Sequence, residues 1–288
     1  MIRLLAAMLL LTGAVQAAEL RVATWNLEWL TARPAGDPAL PENVRPKRPE
    51  DIDALRRYAL TLDADVIAFQ EVDGPEIAAR VFPAERYAIV TTADDVVQRV
   101  GFAVRRGIPV RRNPDLAGLD VSPAAAHRLR SGADITLDLP AARLRLLAVH
   151  LKSGCNRDRL SGAQAVNLSR TCEMLRRQIA PLQGWINQRR EEGTPFVLLG
   201  DFNRQMDGPD ELLAALARTA PLVRATEGRA SPCWGGGSFI DHILAGGAAR
   251  NWMVPDSLRV LVYRETGDAA REQLSDHCPV SVRFRLPD

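Results

Sequence analysis

Apolar and polar residues alternate from Glu19 to Leu27 (ELRVATWNL), the two-residue period of a strand with one face buried. After Pro49 the spacing lengthens to that of a helix across residues 50–63 (EDIDALRRYALTLD), with the proline where a helix can begin. DVIAFQEV at 65–72 is a continuous apolar run, as strands buried on both faces are. The same reading predicts strands at 86–91, 99–105, 133–139, 142–151, 195–200, 239–245, 258–263 and 279–285. A long helical pattern covers 161–191, with Pro181 as a point where it can bend. The Pro-rich stretch from Arg33 to Pro49 reads as a surface loop. Strands and helices recur without a linker or low-complexity tract, so the expectation is a single α/β domain over residues 18–288.

The N-terminus carries an address. Arg3 precedes the apolar run Leu4–Leu11, and Val15-Gln16-Ala17 offers the small residues a signal peptidase inspects. Residues 1–17 are therefore read as a signal peptide, because the run is far short of the ~20 residues a membrane-spanning helix needs. The mature protein is expected to be periplasmic or secreted, without a membrane anchor. Cys155, Cys172, Cys233 and Cys278 then form an even set in an oxidising place, and no C-x-x-C or H-x-x-x-H spacing favours zinc instead.

Composition narrows the classes further. With 47% apolar residues and 25% charged residues in 288, the chain is neither disordered, collagenous nor a multi-span membrane protein. A formal charge of +2 provides no broad cationic field, so any nucleic acid must be held by a local patch. Lys47 and Lys152 are the only lysines among 37 basic residues; arginine, the remainder, is the better fork for phosphate.

Polar residues gather where strands run out. Asn26 and Glu28 end the first strand, Gln70 and Glu71 the second, and His150 the strand 142–151. Asp201 and Asn203 follow FVLLG, Asp241 lies in FIDHIL, and Asp276 with His277 precedes CPVSVRF. Each alone has a dull explanation as a turn residue or a satisfied histidine. Six successive strand ends bearing carboxylate, carboxamide or imidazole do not, because strand termini of layered sheets are where sites assemble.

Those residues sit in TWNLE (24–28), FQEV (69–72), VHLKS (149–153), LLGDFN (198–203), FIDHI (239–243) and LSDHCPV (274–280). In this order the motifs resemble the endonuclease/exonuclease/phosphatase superfamily with the DNase I-like fold, across residues 20–285. The resemblance implies a four-layer αββα sandwich, two mixed sheets face to face with helices outside, and cleavage of phosphoesters with a divalent cation. It implies Mg²⁺, or Mn²⁺ or Ca²⁺, held chiefly by Glu71 with Asn26, Glu28 and Asp276 nearby. Asp201 and Asn203 would orient the water and the phosphate, and His277 would be held by Asp241. His150 would be the second imidazole, with the acid and base roles of the two histidines left open. The chemistry agrees: a phosphodiester repels its nucleophile, so the site needs a hard cation and a base for water.

Other residues complete the picture. Arg130 and Lys152 are candidate phosphate contacts, with Arg99 and Arg105 weaker ones. His242 must face away from Asp241 on a strand and is read as structural, and His127 as a surface residue. Trp25 and Trp29 are read as packing residues. Cys155 and Cys172 enclose a short loop between a strand and the following helix, and an Asp241–His277 contact would bring Cys233 near Cys278. The expected pairs are therefore 155–172 and 233–278. For substrate, the secretion signal and VHLKS favour nucleic acid, cut by a monomeric nuclease. A lipid-headgroup phosphodiesterase of the sphingomyelinase type is the alternative, and a silent binding protein on the same scaffold a more distant one.

Overall fold

The computed structural model describes residues 18–125, 128–161 and 169–287, so the expected signal peptide and His127 lie outside the described residues. The first strand, β1 (Glu19–Leu30), is followed by α1 (Pro49–Leu62), β2 (Val66–Val72), α2 (Pro75–Val81), β3 (Tyr87–Thr91), β4 (Arg99–Arg105) and β5 (Val110–Arg112). Then come β6 (Ala133–Asp138), β7 (Arg143–His150), α3 (Arg170–Glu191), β8 (Phe196–Asp201), α4 (Glu211–Thr219), β9 (Leu222–Arg224) and β10 (Asp241–Gly246). The chain closes with α5 (Ala249–Trp252), β11 (Arg259–Val260), α6 (Asp268–Gln273) and β12 (Val280–Arg285).

The strands form two six-stranded mixed sheets, in the orders β11-β12-β1-β2-β4-β3 and β5-β6-β7-β8-β10-β9. Alternation along β1 sends Leu20 and Val22 to the face between the sheets, where with Val66 and Phe102 they meet Ile135, Leu146, Val197, Leu199 and Ile243 of the second sheet. Ala23, Trp25 and Leu27 point outward and pack under α1 and α2 through Ile52, Leu55 and Ile77. On the far side α3 and α4 lay Leu175, Leu182, Leu212 and Leu216 on Leu147 and Leu198. The result is four layers, helix–sheet–sheet–helix, as the motifs implied.

Each sheet has one parallel pair at its centre, β1 beside β2 and β7 beside β8. Parallel neighbours finish at the same edge, so four strand ends converge there. Gly200 makes the second pair possible: a Cβ at this φ of 142° would stand 2.0 Å from the Val149 carbonyl oxygen.

Several elements differ from the pattern reading. The short helices α2 and α4 and the three-residue strands β5 and β9 were not anticipated, and the strand expected over 258–263 contracts to β11. The nine-residue α4 is set instead by its cap, with Asp210 Oδ1 accepting from the Leu213 amide at 2.8 Å. α3 continues through Pro181 as one element, and residues 162–168 lie outside the described ones.

Cys155 is bonded to Cys172 and Cys233 to Cys278. The first bridge closes a loop of 17 residues, worth about 3 kcal/mol in the chain-entropy treatment. Replacing Cys155 and Cys172 together by serine should lower the unfolding free energy by about that amount in urea, and reductant should lower the wild-type melting temperature. Unreduced peptide maps that link Cys155 to Cys233 or Cys278 would contradict the pairing.

Candidate active site

The converging strand ends place Asn26 opposite Gln70 across β1 and β2, and His150 opposite Asp201 across β7 and β8. Asp241 lies opposite Asp201 on the antiparallel side. Asn26 then bridges the two sheets: its Nδ2 donates to Glu71 Oε1 and to Asp201 Oδ2, each at 3.0 Å. Its Oδ1 accepts from the Glu28 amide at 2.9 Å, which fixes the amide's orientation. Asn26 is thus a clamp between two carboxylates, with its oxygen turned away from them. Asn203 plays a similar part. Its backbone amide donates to Asp201 Oδ1 at 2.7 Å, while Nδ2 reaches Asp201 Oδ2 and the Leu151 carbonyl, both at 3.2 Å.

The two imidazoles flank this pair of carboxylates in opposite electrical states. His150 Nε2 lies 3.6 Å from Glu71 Oε1 and 3.5 Å from Asp201 Oδ2, too far for good hydrogen bonds, and its buried Nδ1 has no partner among the described residues. Burial, then Arg130 and His277, hold its pKa well below the ordinary value, so the ring is neutral. His277 Nδ1 donates to Asp241 Oδ2 at 2.7 Å, and its Nε2 is 3.8 Å from Asp201 Oδ2. Burial opposes its charge, but Asp241, Asp201 and Asp276 outweigh that and raise its pKa well above normal. Burial likewise pushes Asp201 up, with His277 opposing.

Second contacts hold the loop that carries His277. Tyr263 donates to the His277 carbonyl at 2.8 Å and accepts from Trp25 Nε1 at 2.8 Å. Ser275 Oγ donates to the Asn26 carbonyl, Trp234 Nε1 donates to the Ser275 carbonyl, and the Cys233–Cys278 bridge ties the same segment. None of these supports except the disulfide was visible as a motif.

Backbone strain concentrates here as well. Four of the seven non-glycine residues with positive φ among the described residues are Glu28, Trp29, Glu71 and Asn203. Each such conformation costs roughly 1–2 kcal/mol for an L-residue. Between Asn26 and Leu30 the β1–β2 register slips: four residues of β1 are spanned by two of β2, a bulge that re-aims side chains. It turns Glu28 away from Glu71. Glu28 Oε2 accepts from the Asp276 amide at 3.1 Å and lies 3.5 Å from Lys47 Nζ, whose side chain is almost wholly buried. Burial pushes the Glu28 carboxyl up to about 7 in spite of Lys47. Among the described residues, neither Glu28 nor Asp276 belongs to a group of three ligand atoms within 4.8 Å of one another; at this site those groups are Glu71, His150 and Asp201, and Asp201, Asp241 and His277.

Of the two basic candidates, Arg130 stands at the site. It is buried, donates from Nε to the His150 carbonyl at 3.1 Å and from Nη1 to Gln98 Oε1 at 3.3 Å. Gln98, which the sequence reading passed over, donates from Nε2 to Glu71 Oε2 at 2.6 Å and so links cation to carboxylate. Lys152 instead folds back on the Ser153 carbonyl at 3.0 Å. Arg99 donates to the Asp94 carbonyl and Arg105 pairs with Asp63 and Asp65, away from the carboxylate pair. His242 is wholly buried between Thr226 Oγ1 at 2.7 Å and the Arg204 carbonyl at 2.9 Å, on the face opposite Asp241.

Residues 23–277 match the Endonuclease/Exonuclease/phosphatase family. The chain belongs to that family. Humanized zebrafish (D. rerio) TDP2 is 18% identical with a TM-score of 0.62, covering 93% of this chain and 99% of that one. The 3'-5' exonuclease NExo of Neisseria meningitidis is 18% identical with a TM-score of 0.59, covering 93% and 100%. The human Nocturnin catalytic domain, with a bound sulfate anion, is 15% identical with a TM-score of 0.56, covering 92% and 94%. At such identity these structures share the fold. No curated protein sequence matches the chain.

The donor set suits the divalent cation that family members use. Glu71 and Asp201 present hard oxygens on either side of the Asn26 clamp, and the unpartnered polar atoms His150 Nδ1 and Asp241 Oδ1 are buried beside them.

His242 provides a test that needs no substrate. Burial lowers its pKa from 6.5 to about 4, so the folded protein keeps it neutral where the unfolded chain takes up a proton. Stability from this residue is present above pH 6.5 and is lost as pH falls towards 4, by roughly 3 kcal/mol. His242→Gln should be less stable than wild type at pH 7 but lose less stability between pH 6.5 and 4 in urea titrations. Parallel pH curves for the two proteins would place the acid sensitivity elsewhere.

Proposed function

We propose that the protein is a divalent-metal-dependent phosphodiesterase acting on nucleic acid outside the cytoplasm. The observation that carries this reading is the pair Glu71 and Asp201, clamped by Asn26 and flanked by one neutral and one charged imidazole. Glu71 would be the principal ligand of the cation, Mg²⁺ first and Mn²⁺ or Ca²⁺ as alternatives. Bound there, it would neutralise phosphate charge and lower the pKa of water.

The chain's own residues supply the rest. Asp201, its proton affinity raised by burial, takes the proton of the attacking water, while Asn26 and Asn203 keep its two oxygens aimed. His277, kept protonated by Asp241, supplies a proton at Nε2 for the departing oxygen. Neutral His150 and the Arg130 guanidinium donate to the phosphate oxygens; Arg130 makes no direct ion pair among the described residues. TDP2 of D. rerio, solved with single-strand DNA product, and NExo bound to a product DNA hairpin support nucleic acid as the substrate class. The two disulfides support export. The lipid-headgroup alternative gains little, since the exposed large apolar residues among those described are Val223 and Val262, not an aromatic loop tip.

Purified protein with Mg²⁺ should cut plasmid DNA, single-stranded DNA or RNA, and EDTA should stop it. Glu71→Gln should lower the rate by about 100-fold or more at limiting Mg²⁺. A near-normal rate in that variant would remove Glu71 as the principal ligand, and hydrolysis of sphingomyelin vesicles without nucleic-acid cleavage would overturn the substrate class.

A further inference from the structure

The β1 bulge does something to Trp29 that strand alternation would not. Ala23, Trp25 and Leu27 enter the core under α1 and α2, and a regular strand would send Trp29 after them. With Glu28 at φ 43° and Trp29 at φ 52°, Leu30 takes that core position, and the half-buried Trp29 is left lining a cavity of about 610 Å³. Two left-handed residues thus keep one of the chain's five tryptophans out of the core and set its ring on a cavity wall.

The cavity's other walls define what the ring can receive. Pro38 and Pro41 of the 33–49 loop and Val97 add apolar surface, while Gln98 and Arg130 stand at the boundary with the carboxylate pair. Trp29 is itself joined to that pair, its amide donating to Glu71 Oε2 at 3.2 Å. The cations in the wall are unequal. Arg33 is matched by Asp73 and Asp37, and Arg128 by Asp120, whereas Arg130 is buried with three of its five N–H groups engaged and no carboxylate partner among the described residues. The volume is that of a small-molecule site, flat apolar surface lies on one side, and a guanidinium that makes no direct ion pair among the described residues lies beside Glu71. A quaternary ammonium would be repelled by Arg130; a base joined to a phosphate would not.

Resting on the reading of the site as a nucleic-acid phosphodiesterase, we propose that this cavity is a subsite for one unpaired nucleobase, stacked on Trp29 with its adjoining phosphate turned to Arg130. One aromatic face receives one base, and a base in this cavity has left any duplex stack. The subsite therefore selects single-stranded nucleic acid or strand ends over the interior of a duplex.

Binding without metal separates this proposal from catalysis. Isothermal titration of the purified protein in EDTA would compare adenosine 5′-monophosphate and adenosine 3′-monophosphate with ribose 5-phosphate and phosphocholine. One of the two nucleotides should bind roughly tenfold or more tightly than ribose 5-phosphate, the size of one base–aromatic stack. That advantage should fall below about twofold in Trp29→Ala and largely persist in Trp29→Phe, with melting curves confirming that both variants fold. Equal binding of nucleotide and sugar phosphate, an advantage that survives Trp29→Ala, preferred binding of phosphocholine, or no nucleotide binding would each overturn the subsite. Nucleotide binding of the expected pattern in a protein that cuts no nucleic acid with Mg²⁺ would instead uphold the subsite and overturn the proposed reaction.

Discussion

One carboxamide holds the two halves of the site together. Glu71 belongs to the first sheet and Asp201 to the second, and left alone two carboxylates at one buried edge would repel each other across a low dielectric. Asn26 answers both with the same nitrogen, and its oxygen is occupied by the Glu28 amide, so it cannot rotate to present the wrong atom. The clamp works because Asn26, Glu71 and Asp201 all lie on strands or at their ends, positioned by ladders in a packed sandwich and not by free loops. Sites carried on regular elements hold their geometry more closely than loops can.

The charges around this clamp are arranged as a gradient. On one side Asp241 keeps His277 charged; on the other, burial and then Arg130 keep His150 neutral. Two identical side chains within reach of the same Asp201 carboxylate therefore differ in protonation. Separating the pKa values of paired groups is how a single site obtains both an acid and a neutral donor near neutral pH. The His277 loop carries no regular structure of its own, and Tyr263, Trp234, Ser275 and the Cys233–Cys278 bridge take the place of a ladder in holding it.

How much of this could be read beforehand follows from what each feature depends on. Alternation and helical spacing located the long strands and α1, because burial over many residues leaves a periodic trace. The strand-end polar residues were legible for the same reason: Asp201, Asp241 and His277 interrupt apolar runs that have no other cause to stop. The short elements β5, β9 and α2 are stabilised by neighbours distant in sequence, so their own few residues carry little signal. Gln98 and Lys47 were invisible because each acts on a residue that the fold, not the chain, brings near. Glu28 and Trp29 illustrate the harder limit. Their positions in TWNLEW are plain, but a register slip reverses which way each points, and nothing in the alternation of the first strand announces it.

That slip links two properties of the site that would otherwise be independent. In a regular strand Glu28 would follow Asn26 onto the inner face, adding a third carboxylate to the clamp, and Trp29 would disappear into the core. With two extra residues, Glu28 turns to Lys47 and the Asp276 amide, and its carboxyl is held there instead of beside Glu71 and Asp201. In the same stroke Leu30 fills the core and Trp29 is brought to the cavity wall, tied to Glu71 through its own amide. The number of carboxylates available to a cation and the presence of an aromatic wall beside it are thus set by one local backbone conformation. The cost of two left-handed residues is confined to the strand end, where it does not disturb the sandwich that positions everything else.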